Sequence, residues 1–233
     1  MEHQIRKAGA FAAFFEGFAY ITGIIIFFSL LMPDVGGSPT DTESLAFLLE
    51  RKSLFQLTNL LIYPLFGIAL VFLSLALYER MQHKDRFRAQ AMAGFGLVWA
   101  VLVIASGMIA NVGIDQVAGV YTRDPEQAGR LWIGMMTISE ALGGGVEIVG
   151  AVWVLLISLS GFRRGTFPKG FNILGLLVAL PGMLTLFPGM GELGALFGLL
   201  QIPWFIWLGF LFLRTPHRTL NLDYVSGYLF FTS

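Results

Sequence analysis

Long apolar runs separated by short charged clusters organise the chain. Six stretches, 8–31, 55–78, 91–111, 131–159, 170–188 and 193–213, approach or exceed the ~20 apolar residues that a helix needs to cross ~30 Å of hydrocarbon. The fifth is the shortest, and the fifth and sixth contain proline. The pattern predicts an all-α, polytopic membrane protein. Its one domain, 1–214, is a six-helix transmembrane bundle, and 215–233 forms a tail. A straight helix over 131–159 would be ~43 Å long, so tilt, a kink or a protruding outer turn is expected there. The loop 32–54 opens with "PDVGGSPTD", which is turn chemistry, and continues as "TESLAFLLERK". That second segment reads as a short interfacial helix capped by Thr40 or Asp41. After Arg214, Pro216 stops the last helix. The "YLFF" of the tail is apolar enough to lie on the membrane or on a partner, with simple fraying as the alternative.

Composition agrees with this class. Hydrophobic residues make up 56% of the chain and charged residues 13%, against about 25% charged in a soluble domain. Mean hydropathy is +0.73. Cysteine is absent, which excludes disulfides, thiolates and thiol-ligated metals. Arg6 and Lys7 precede the first stretch as they would in a signal peptide. That stretch is too long and lacks a small-x-small cleavage site, so it reads as a retained helix.

The 15 basic and 15 acidic residues cancel in number but not in place. Arg6, Lys7, Arg80, Lys84, Arg86, Arg88, Arg163, Arg164, Lys169, Arg214 and Arg218 flank the spans on one side, and Arg51, Lys52, Arg123 and Arg130 on the other. Cytoplasmic loops hold the excess of lysine and arginine, so both termini are expected in the cytoplasm. Asp34, Asp41, Glu43, Glu50, Asp115, Asp124, Glu126 and Glu192 fall on the outer side.

Three acids, Glu16, Glu140 and Glu147, lie inside the predicted spans, where no lysine, arginine or histidine accompanies them. Charge in hydrocarbon is costly, so such residues face the bundle interior or water. In an unbroken helix Glu140 and Glu147 share one face with Gly143, Gly144, Gly150 and Ala151. Gly9, Ala13, Tyr20 and Gly23 share the face of Glu16. Small residues let membrane helices approach closely, so all three acids are expected to point inward and to be largely protonated. Gln56, Asn59, Tyr63, Ser106, Asn111, Thr137, Thr185 and Gln201 are candidate hydrogen-bond partners. Most of them fall in the outer half of the predicted bundle. The expectation is an outward-facing polar pocket with Glu147 as its central titrating group and Glu140 as the outer one. Glu16 would belong to it, Gln56, Asn59, Tyr63 and Gln201 would line it, and aromatic residues of helix 6 would close it below. A neutral glutamic acid bonding across helices is also ordinary membrane glue, worth ~0.6–2 kcal/mol per contact, and fits each acid equally well. Gly143–Gly145 either permits close packing or loosens the helix and frees carbonyls, as broken transporter helices do.

Other signals are weak or missing. Pro64 and Pro181 interrupt the second and fifth stretches at similar points, and Glu16 and Glu140 lie at similar depths in the first and fourth. These matches suggest an inverted repeat. Prolines are common in membrane helices, and coincidence is the simpler account. His3, His83 and His217 lie in loops or tails, which disfavours bis-histidine haem, and no cofactor is indicated. HExxH, GxSxG and GxxxxGK[ST] are absent. "GMGEL", 189–193, reads as a turn. The basic "YERMQHKDRFR", 78–88, reads as a topology determinant in contact with anionic lipid rather than nucleic acid.

The segments "RKAGAFAAFFEGFAY", "LALYERMQHKDRFRAQAMAGFGLVWAVL" and "GTFPKGFNILGLLVALPG" are similar in layout to a widespread group of bacterial six-helix integral membrane proteins known only as a domain of unknown function. The resemblance spans about 6–214. It implies the six-helix fold and the bacterial inner membrane, and it brings no catalytic residues with it. Three functions remain open at this level: a proton- or cation-linked small transporter or ligand-binding membrane protein, an accessory subunit of a larger membrane complex, and, least supported, an enzyme acting on a lipid-like substrate. Membrane lipids and a homo-oligomeric or larger assembly are the partners these readings imply.

Overall fold

The computed structural model describes residues 2–31, 42–144 and 147–214. The "PDVGGSPTD" turn, the Thr40 or Asp41 cap, Pro216 and the "YLFF" tail lie outside the described residues. Every regular element within them is helical: α1 (Glu2–Ile26), α2 (Thr42–Glu50), α3 (Lys52–Leu60), α4 (Phe66–Met81), α5 (Arg86–Tyr121), α6 (Pro125–Ser139), α7 (Ile148–Arg164), α8 (Lys169–Leu184) and α9 (Leu193–Arg214). Wide π-type turns extend α1 through Phe27–Leu31, join α3 to α4 through Leu61–Leu65, and end α6 through Glu140–Gly144. Pro64 sits in the second of these turns, where its missing N–H and its ring prevent a regular α-helical ladder.

Five apolar helical stretches among the described residues are long enough to cross a membrane: His3–Leu31, Lys52–Met81, Arg86–Tyr121, Pro125–Arg164 and Leu193–Arg214. The expected fifth span is shorter. Regular helix α8 has 16 residues, ~24 Å, and ends three residues after Pro181.

The long elements form a closed ring. Helix α1 packs on α4, α4 on α5, α5 on α6 and α7, α7 on α8, α8 on α9, and α9 returns to α1. Aromatic rings fill the middle. Tyr20 meets Phe66 edge-on at 5.3 Å, and Phe66 meets Trp99 at 5.8 Å. Trp153 then bridges Trp99 and Trp204 at 5.6 and 5.7 Å. Such pairs add ~0.5–1.5 kcal/mol each beyond their buried area.

Two matching knots of side chains tighten the ring. At Gly96 of α5, a Cβ would overlap Ser74 Oγ of α4 and lie 2.6 Å from Trp153 Nε1 of α7. At Gly175 of α8, it would overlap Ser158 Oγ of α7 and lie 2.9 Å from Trp204 Nε1 of α9. The local sequences also match, with "SLALYER" at 74–80 beside "SLSGFRR" at 158–164, and "GLVWA" at 96–100 beside "GLLVA" at 175–179. This correspondence advances by one helical hairpin and keeps its direction. The inverted pairing, for which coincidence was the simpler account, fares worse. Glu16 is buried and Glu140 exposed, and Pro64 lies in a mid-span π turn whereas Pro181 lies in the last turn of α8.

The basic end of the bundle is held by cations on helix-terminal carbonyls. Arg6 donates to Phe212 O and Leu213 O at 3.3 and 3.2 Å, and Arg80 to Leu211 O at 2.9 Å, all at the C-terminus of α9. Lys84 donates to Arg164 O and Gly165 O at the end of α7. These contacts satisfy carbonyls that have no intrahelical partner, and they place positive charge at the negative end of each dipole.

Asp85 caps α5 by accepting the Arg88 N–H at 3.2 Å, and it pairs with the Arg88 and Arg164 guanidiniums at 2.8 and 3.6 Å. The Arg88 backbone N–H, aided by both guanidiniums, holds its carboxyl below the usual carboxylate value. A carboxylate with a depressed folded-state pKa stabilises the fold above its unfolded pKa of roughly 4. That contribution fades as pH falls through the folded value. Asp85→Ala therefore lowers the melting temperature at neutral pH, and the gap to wild type closes in strongly acidic buffer. Thermal unfolding of both proteins across that range tests this, and a gap independent of pH would contradict it.

A second, smaller core lies at the opposite end. Leu45 of α2, Ile114 and Val117 of α5, and Ala128 and Trp132 of α6 are buried together. Helix α5 has 36 residues, ~54 Å, much longer than hydrocarbon is thick. Its distal turns, with α2, the start of α3 and the start of α6, form a compact head beyond the ring. Lys52 pairs with Asp115 at 2.8 Å there, and Arg130 pairs with Glu126. The expected short helix before residue 52 is present as α2, and it packs into this head. The expected kink or protrusion in the fourth span is present as both.

Candidate functional site

The fourth leg of the ring breaks below the head. Gly143 adopts φ +155, a conformation that L-side chains rarely reach, and α7 restarts at Ile148. Glu147 stands at the restart. Its backbone N–H donates to Thr185 Oγ at 3.0 Å, and that hydroxyl donates to Gly182 O at 2.7 Å. The end of α8 thus fixes where the Glu147 backbone sits. Within the glycine run, Gly143 is the residue whose described backbone leaves the helical conformation.

A cavity of ≈ 470 Å³ opens beside this break, within the range of small-molecule sites. Tyr20, Gly23 and Ile24 of α1, Ile62, Tyr63 and Phe66 around the second π turn, and Trp99 and Val103 of α5 line it. Gly143 and Glu147, with Glu192 through Leu199 of α9 and its preceding turn, complete the wall. The lining is chiefly apolar and aromatic, where a polar pocket was expected. Its carboxyls are Glu147, within, and the exposed Glu192, at the rim; among the described residues no lysine, arginine or histidine takes part. Tyr20 lies within electrostatic range of Glu16, Glu147 and Tyr63, and Tyr63 within range of Glu147 and Glu140. Among the described residues no three histidines or carboxylates gather as metal ligands.

Of the residues expected at the site, Glu147 and Tyr63 line the cavity. Glu16 is fully buried in α1, and neither carboxyl oxygen has a hydrogen-bond partner among the described residues. Gln201 of α9 is likewise fully buried, and its amide has no hydrogen-bond partner among the described residues. Neither lines the cavity wall.

Gln56 and Asn59 serve elsewhere. Asn59 Nδ2 donates to Gly107 O at 2.7 Å and to Asn111 Oδ1 at 3.0 Å, and Gln56 Nε2 donates to Asp115 Oδ2 at 3.1 Å. Their amides fasten α3 to α5, so they are helix glue rather than pocket lining.

Glu140 is exposed, contrary to the expected inward face. Its neighbour Ser139 is buried instead and hydrogen-bonds Ser106 of α5 at 2.8 Å. The physical reason is the break itself. A seven-residue spacing shares a face only in a continuous helix, and the π turn and Gly143 destroy that register. Glu16 is therefore the one fully buried carboxylate among the described residues, with Glu147 half-buried.

Tyr20, Phe66, Trp99 and Glu192 line the cavity and were not anticipated there. Tyr20 follows Glu16 by one helical turn, which is the signal that could have found it.

A family model described as "Domain of unknown function (DUF4386)" matches residues 15–213. No curated protein and no solved structure matches the chain.

Proposed function

This chain belongs to the DUF4386 family, and from that premise we propose that it is a six-span protein of the bacterial inner membrane that binds a small ligand beside Glu147. The single observation that carries the reading is the cavity: the Glu147 carboxyl among aromatic walls at a helix break, with Glu192 at the rim and no basic neighbour in the described lining. Helix breaks of this kind occur in transporters where backbone lines a binding site. Lipid contact is supported by the large apolar side chains on the outer face, among them Phe11, Phe72, Val101, Leu180 and Phe210. The short α8 acts as the fifth span through its packing between α7 and α9. The basic end faces the cytoplasm by the positive-inside rule, which leaves the head and the cavity rim on the far side.

The chain has no cysteine, so single cysteines report cleanly. Cysteine at Glu192 or Tyr20 is expected to react with a small membrane-impermeant thiol reagent from the periplasmic face. Cysteine at Lys84 is expected to react only from the cytoplasmic face. Reaction of the Glu192 position from the cytoplasm alone would refute the orientation. A Tyr20 position silent from both faces would refute an accessible cavity.

A further inference from the structure

We propose that the ligand of this cavity is a lipophilic organic cation: an ammonium or comparable onium group on an aromatic or branched apolar body. This rests on the ligand-binding reading above and adds the ligand's chemistry to it.

The charge pattern supports a cation. Glu147 lies in the wall, Glu192 stands at the rim, and the described lining offers no cationic side chain to an anion. An anionic ligand would meet carboxyls alone, which is costly where water is scarce.

The walls then select the kind of cation. Tyr20, Tyr63, Phe66 and Trp99 contribute four aromatic side chains to the wall. Ring faces attract a cation by their quadrupole, and most strongly when its hydration shell is weak. That favours an onium over a metal ion. A divalent metal requires about six oxygen ligands in close array, and among the described residues no three carboxylates or histidines gather to begin one.

Volume and position agree. About 470 Å³ accepts a drug-sized molecule and is far too roomy for a bare ion. Ile24, Ile62, Val103 and Leu199 provide apolar wall for the rest of the ligand. Leu199 and Ala195 of α9 are exposed and line the cavity as well, so one side of it meets the lipid-facing surface. A lipophilic cation, concentrated at the membrane interface, can enter there.

Two ions of nearly identical size and shape but opposite charge test the idea: tetraphenylphosphonium and tetraphenylborate. Each is titrated into the purified full-length protein in neutral detergent, with tryptophan emission and melting temperature as readouts. The neutral triphenylphosphine oxide is a third probe. Tetraphenylphosphonium is expected to bind and stabilise, and tetraphenylborate to do neither. Glu147→Gln is expected to weaken the cation by about tenfold, the scale of one partly desolvated charge contact. Glu140→Gln, at an exposed position, leaves binding unchanged. Ala195→Trp narrows the mouth without touching a carboxyl and is expected to abolish specific binding, separating it from partition into micelles. Equal binding of both ions, or binding of the neutral probe alone, overturns the cation assignment and leaves the ligand-binding reading intact. Binding of none of the three overturns both. If Glu147→Gln does not fold, the comparison of the three probes on the wild-type protein decides alone.

Discussion

Leucine in place of Glu16 raises the melting temperature of the solubilised protein, whereas lysine there prevents folded protein from accumulating. Glu16 has no exposed surface, and both of its carboxyl oxygens lack a partner among the described residues. An unsatisfied buried polar group costs ~1–3 kcal/mol, and an apolar side chain of similar size recovers much of that. Lysine exchanges an acid that can be neutralised for a longer, more strongly basic group in the same packed space, at a cost of several kcal/mol. Unfolding in mixed micelles measures the first variant, and yield of membrane-inserted protein measures the second. If leucine lowers stability, Glu16 has a bound partner, such as water, and its burial is satisfied. A gain in stability would mark Glu16 as retained for something other than folding, since natural sequences break local rules chiefly at functional sites.

Leucine at Gly175 or Gly96 unfolds part of the ring, whereas leucine at Gly94 is tolerated. At the first two positions a Cβ alone collides with a serine hydroxyl and with a tryptophan indole from a third helix. Ser158 cannot easily give way, because its hydroxyl is tied to Val154 O at 2.9 Å. Overpacking of this kind costs ~1–3 kcal/mol and more when backbones must part. At Gly94 a Cβ meets nothing within 4 Å. The three variants share glycine's loss of helix-weakening freedom, so only packing separates them. Equal melting temperatures for Gly94→Leu and Gly175→Leu would show that close approach is not what these glycines provide.

These sites show what a sequence reveals about such a fold and what it conceals. Hydrophobic runs placed the long helices because hydrocarbon thickness imposes a length on each. The overlong fourth stretch signalled a bend, and Gly143 supplies it. The same bend undid the pairing of Glu140 with Glu147, because periodicity carries a face forward only through regular helix. Gln56 and Asn59 were read as pocket lining because they carry hydrogen-bonding amides within a predicted span. Periodicity says which side of a helix is covered, not by what, and the covering element is α5 rather than a ligand. The cavity was least legible. Its wall joins Tyr20, Trp99 and Leu199, residues far apart in sequence that ring closure brings together.

Closure between α1 and α9 also sets an order of assembly. Helix α1 is made before α9 and is sealed by it, so α1 must wait in the bilayer through the synthesis of everything between them. During that interval α1 lacks the α9 side chains that later crowd it, Phe212 at Gly9 and Phe205 at Gly17 and Tyr20. A ribosome that stalls before Leu193 therefore leaves a chain with an acid turned toward lipid or toward a chaperone. The nascent protein, more than the finished one, depends on that carboxyl being uncharged.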